Sequence, residues 1–142
     1  MATRNGSAEW KGDLKGGAGT VKVGEGAFEG SYSFTSRFEE GEGTNPEELI
    51  AAAHASCFAM ALSNIIAEDG QSPESVNAHA AVHLRNVDGE PTIARIELTA
   101  EGSVPGIDED AFRAYAEKAK AGCPVSRALG AVPEIELDAR LV

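Results

Sequence analysis

The sequence predicts an α+β fold. Three observations carry that expectation: short β-prone runs near the N-terminus, a long alanine-rich helix without a polar face, and a second β region folded about an Asp-Gly turn. A chain of 142 residues and 14.7 kDa is one domain's worth, so a single domain over 1–142 is expected. Its 42% apolar and 25% charged content is that of an ordinary globular protein, which excludes wholesale disorder and a disulfide-dense mini-protein.

The elements follow in order. Glu9-Trp10-Lys11 and Thr20-Val21-Lys22-Val23 flank the cluster Gly16-Gly17-Ala18-Gly19, and Phe28 to Phe34 carries three aromatics. These three runs read as an antiparallel meander. Glu39 to Asn45 is a polar, glycine-rich loop. Asn45-Pro46 then starts a helix: an N-cap, a proline at the first helical position, and Glu47 and Glu48 in the electropositive first turn. The helix runs to about Glu68 and stops at Asp69-Gly70. Apolar residues surround it from Leu49 to Ile66, so it is expected to be the buried central helix of the core.

Val76 to Val87 and Thr92 to Val104 flank Asp88-Gly89, a hairpin signal. Asp108-Glu109-Asp110 caps a helix to about Ala121, with Phe112, Tyr115 and Ala119 on one face. Cys123-Pro124 starts a short helix that Gly130 ends. Glu134 to Leu141 alternates cleanly and is expected to be the last strand.

Acids outnumber bases 23 to 12, for a formal charge of −11. Such a surface repels nucleic acid and anionic membranes, so neither is an expected partner. No uninterrupted run of 18 apolar residues is present, and Met1 to Gly6 lacks the apolar core of a secretory signal. The expectation is a cytoplasmic protein without a membrane span. Two cysteines do not make a secreted disulfide framework.

The cysteines are the sharpest chemical feature. Cys57 lies mid-helix within His54-Ala55-Ser56-Cys57-Phe58, and Cys123 at a helix N-cap. Either alone is consistent with an inert apolar filler. No C-x-x-C supports a thioredoxin reading, and His54, Cys57 and Cys123 supply at most three ligands, too few for a structural zinc site. His54 reads as a core histidine or as a modifier of the thiol one turn away. His79 and His83 share a strand face and receive no chemistry. Phe38, Phe58, Met60 and Leu129 are candidates either for an apolar substrate pocket or for plain core.

Longer segments are more specific. Ser36-Arg37-Phe38-Glu39, Gly43-Thr44-Asn45-Pro46-Glu47-Glu48-Leu49, Ala52 to Leu62 and Cys123-Pro124-Val125-Ser126-Arg127-Ala128-Leu129 occur in order. The chain from about Trp10 to its end resembles the OsmC/Ohr family of hydroperoxide reductases, and its OsmC branch in particular. The resemblance implies a thiol-dependent reducer of organic hydroperoxides, and more weakly of hydrogen peroxide, in stress defence. It implies no metal, flavin or other cofactor, and an external thiol, dithiol or lipoyl reductant. Carried over by position, Cys57 is the peroxide-attacking cysteine and Cys123 the resolving one, joined in a Cys57–Cys123 disulfide. Arg37 and Glu47 are the polar pair that serves the thiolate.

That chemistry suits these residue types. The thiolate is the nucleophile, burial opposes it, and a guanidinium held by a carboxylate offsets the burial. One constraint comes from helix geometry. Glu47 and Cys57, ten residues apart, are separated by about 15 Å on a straight helix. They meet at one site if two copies of the helix pack antiparallel about Ala52, flanked by Ala51 and Ala53. The expectation is an intertwined homodimer with Cys57 and Cys123 from one chain and Glu47, with Arg37, from the other. The competing reading is a non-enzymatic, stress-associated dimer with structural cysteines that binds a small apolar ligand at its interface.

Overall fold

Gly6–Lys11 (β1), Ala18–Val23 (β2) and Phe28–Tyr32 (β3) pair antiparallel in sequence order, as the meander reading requires. Trp10 and Tyr32 meet across β2 with ring centroids 5.2 Å apart. A short helix, Phe34–Phe38 (α1), follows where the sequence suggested the end of a strand and an irregular run. Its cause is local: the Ser33 side chain accepts from the Ser36 N–H while Ser36 returns a bond to the Ser33 backbone, a reciprocal cap.

The long helix spans Pro46–Glu68 without a break (α2). These observations come from a computed structural model that describes residues 2–142. The chain divides into two compact units, one ending at Leu49 and one running Ile50–Val142.

In the second unit, Ser75–Val87 (β4) and Glu90–Ser103 (β5) form the expected hairpin. Asp88 and Gly89 both take positive φ, 52° and 85°, the mirror-image turn that matches strand twist. Glu109–Gly122 (α3) and Pro124–Ala128 (α4) then carry the chain back. Glu134–Leu141 (β6) pairs parallel to β5. A parallel neighbour needs a crossover of this kind, and the two helices supply it. The sheet order is β4-β5-β6. α3 lies so close to β5 that a Cβ on Gly102 would sit 2.4 Å from the Phe112 ring; only glycine fits there.

The core of this unit is Phe58, Leu62, Ile66, Ile96, Leu98, Phe112, Ala116 and their neighbours. α2 contributes a stripe at spacing four, His54, Phe58, Leu62 and Ile66, each fully buried. This differs from a helix buried all round. Ala52, Ala53, Ser56 and Met60 are exposed in the chain by itself, Met60 at 75%.

The composition of α2 bears on membranes as well. α2 is long and apolar enough to cross one by length and composition. His54, Ser56, Ser63 and Asn64 interrupt its apolar run, which hid this in the sequence. Its buried stripe packs into the core of the second unit.

Candidate active site

Arg37 and Glu47 form a two-pronged ion pair. Arg37 Nε donates to Glu47 Oε1 at 2.9 Å and the terminal nitrogen donates to Oε2 at 3.1 Å. The surrounding segment fixes both partners. Ser36 Oγ donates to the Thr44 carbonyl at 2.8 Å, and Asn45 Nδ2 donates to the Ser36 carbonyl at 2.9 Å. Asn45 Oδ1 accepts from the Glu48 N–H at 2.8 Å, the N-cap expected from the sequence. Glu47 therefore sits in the first turn of α2, where the helix favours a carboxylate. It is only 7% exposed, and Arg37 both neutralises it and lies over the Phe38 ring.

The two cysteines meet in the second unit. Their sulfurs lie 3.0 Å apart and both thiols are free. A disulfide of about 2.05 Å is a small closing movement from that separation. Cys57 is partly exposed on α2 and Cys123 is wholly buried. Cys123 stands at the N-cap of α4, ahead of Pro124, as expected.

The environment treats the two thiols differently. Burial, the hydrogen bond with Cys123 and its nearby charge push the Cys57 thiol up, and the Val125 N–H offsets only part of this. Burial also acts against a charge on Cys123. There, however, the polar groups of Cys57, Ser126 and Val125 around the sulfur draw the thiol down. Two thiols this close titrate as a pair, so their protons come off in two linked steps.

His54 is fully buried, and its Nε2 lies 2.6 Å from Ser126 Oγ. Its Nδ1 has no hydrogen-bond partner. Burial lowers its pKa, which keeps the ring neutral.

Of the four apolar residues considered for a substrate pocket, Phe58 is fully buried core and Leu129 packs against that core. Phe38 and Met60 are exposed, at 38% and 75%. Ser126 was not singled out from the sequence. Its partner His54 is 72 positions away, and no spacing rule reaches that far. Among the described residues, no three His, Cys, Asp or Glu side chains gather as a metal site.

Comparison with known proteins adds to this geometry. The profile of the OsmC-like protein family matches residues 39–138. Peroxiredoxin OsmC of Escherichia coli K12 is 50% identical over 139 residues, which cover 97% of this chain and 96% of that protein. An organic hydroperoxide resistance protein of Xanthomonas axonopodis pv. citri is 36% identical over 89 residues, 62% of this chain and 61% of that one. Among solved structures, the organic hydroperoxide resistance protein OsmC of Legionella pneumophila superposes with a TM-score of 0.76 at 23% identity, covering 99% of each chain. That likeness shows the fold.

Proposed function

The chain belongs to the OsmC-like protein family, and from that premise we propose that it is a thiol-dependent peroxidase reducing organic hydroperoxides and, more weakly, hydrogen peroxide. The observation that carries this reading is the pair of free thiols 3.0 Å apart, one reachable and one buried.

Cys57 attacks as the thiolate. Its sulfur takes the terminal peroxide oxygen, the O–O bond breaks, and the alkoxide leaves and is protonated to the alcohol. The sulfenic acid on Cys57 is attacked in turn by the Cys123 thiolate. An S–S bond forms, the S–O bond breaks, and the departing hydroxide takes a proton to become water. A thiol, dithiol or lipoyl reductant then returns two electrons and two protons to the disulfide. The scheme uses no metal or prosthetic group.

Burial pushes the Cys57 thiol up, so its thiolate needs a cation to offset that burial. Arg37 of a second copy is that cation in this reading. Two α2 helices packed antiparallel about Ala52 bring Glu47 of one chain to Cys57 of the other. The exposed face of Ala52, Ala53, Ser56 and Met60 supports such packing, because small residues admit close helix approach. The bidentate pair supports Arg37 travelling with Glu47. The protein is then a homodimer of single domains, each over 1–142, acting in the cytoplasm in stress defence.

The test is a thiol count. One equivalent of an alkyl hydroperoxide should remove two thiols per chain from the reduced protein within seconds. Cys57→Ser should lose none, and Cys123→Ser should lose one and accumulate sulfenic acid. Retention of both thiols in the unmodified protein would favour the ligand-binding reading instead. No first turnover in Cys123→Ser would reverse the two roles.

A further inference from the structure

Phe38 is left 38% exposed, next to the arginine that the peroxidase scheme needs. The guanidinium carbon of Arg37 stands over the Phe38 ring, 5.3 Å from its centroid. That ring is itself held. It meets the Phe34 ring at 4.9 Å, tilted by 43°, and Lys15 Nζ stands over Phe34 at 5.8 Å. Phe34 and Phe38 are four residues apart on α1, the spacing that puts two side chains on one helix face. The reciprocal cap between Ser33 and Ser36 fixes this short helix and with it the spacing.

Glu47 grips the guanidinium along one edge, through Nε and one terminal nitrogen. Two of the five N–H donors are used in that way, and three remain without a partner among the described residues. Those three are the donors that a thiolate and a peroxide oxygen would take up. An edge grip by itself fixes their direction loosely. The Arg37 side chain is 35% exposed, and an ion pair open to water holds a long side chain weakly. A ring against the flat face restricts the motion that the edge grip allows. Guanidinium stacks on aromatic faces, and the ring quadrupole attracts its charge.

We propose that Phe38 is a positioning residue for Arg37: its ring holds the plane of the guanidinium, so that the donors left free by Glu47 keep one direction for the attacking thiolate. The proposal rests on the peroxidase reading and deepens it. Phe38 touches neither sulfur nor peroxide in this role, and it makes or breaks no bond. Its whole effect passes through Arg37, so the effect is the same for a peroxide with an organic group and for one without.

The experiment compares Phe38→Leu, which keeps an apolar helix former but removes the ring, with Phe38→Tyr, which keeps the ring. In the reduced protein, without peroxide, NMR reads hydrogen exchange at the Arg37 Nε–H. Exchange should be about threefold faster in Phe38→Leu, the weight of one cation–π contact at a partly exposed site. The pH at which Cys57 reaches half its maximal rate with iodoacetamide should rise by about half a unit. The first thiol loss should slow roughly threefold with hydrogen peroxide and with cumene hydroperoxide alike. Phe38→Tyr should recover most of all three. Equal exchange in unmodified protein and Phe38→Leu would overturn the proposal. So would slowing confined to cumene hydroperoxide, because Phe38 would then bind the organic group itself. Phe38→Tyr as impaired as Phe38→Leu would also overturn it, since the ring would not be the agent. If the unmodified protein loses no thiols to either peroxide, the peroxidase reading has failed, and the exchange rates still decide whether Phe38 holds Arg37.

Discussion

The two units bury opposite kinds of chemistry. The first buries Ser36 and the Glu47 carboxylate, and its cation Arg37 is tied to that carboxylate by two hydrogen bonds. Every buried apolar side chain among the described residues belongs to the second unit, from Phe58 onward, and so do both thiols. Thiolate chemistry needs an apolar wall to exclude water and a cation to hold the charge, and each unit has one of these. The lesson is that the buried Glu47 carboxylate is met by a guanidinium of its own unit, whereas the Cys57 thiol is pushed up by burial.

The largest expected effect breaks the division outright. Cys57→Ser and Glu47→Ala should each be inactive as homodimers, with losses on the order of a thousandfold or more. Unfolded and refolded together, they should regain activity, because one site of the mixed dimer combines an intact Cys57 with the partner's intact Glu47. If mixed dimers form and remain inactive, the two residues act within one chain.

A smaller effect tests the cation. Arg37→Ala should slow the first thiol loss by roughly ten- to a hundredfold and raise the pH at which Cys57 reacts. It should also destabilise the fold by about 1–3 kcal/mol, because Glu47 is left buried without its donors. Arg37→Lys should recover little, since one ammonium cannot reproduce both prongs. Identical thiol titrations in unmodified protein and Arg37→Ala would remove Arg37 from the site.

The smallest effect concerns His54. Its pKa is lowered in the folded state, so the unfolded chain binds the proton more readily. Stability should be full above the ordinary histidine pKa near 6.5 and fall as pH drops below it, by at most about 1.4 kcal/mol per pH unit for one group. Denaturant melts between pH 7.5 and 5 should show this slope, and His54→Gln should flatten it. An equal slope in both would assign the acid sensitivity to other groups.

Much of the fold was legible in the residues, and for local reasons. Asn45-Pro46-Glu47-Glu48 contains its own cap, first turn and charge preference, and α2 begins where they say. Asp88-Gly89 contains the φ freedom its turn needs. The pairing of Arg37 with Glu47 was read from family resemblance and charge logic, and it stands in the structure at two-pronged distances. The short helix α1 was missed although Ser33 and Ser36 hold its signal, because a hydroxyl at the third helical position is a weaker mark than Glu or Gln. The narrowness of the buried stripe of α2 was not legible, because apolar residues all round a helix say which faces want cover and not what covers them.

The sequence by itself determined where α2, α3 and α4 begin and where the β4–β5 hairpin turns, since those choices are made within one turn or a few residues of chain. Only the tertiary structure decided that β6 runs parallel to β5, that Ser126 comes from 72 positions away to hold His54, and that two sulfurs 66 positions apart lie 3.0 Å from one another. Contacts across such separations are fixed by how the crossover helices pack on the sheet, and no local spacing encodes that packing.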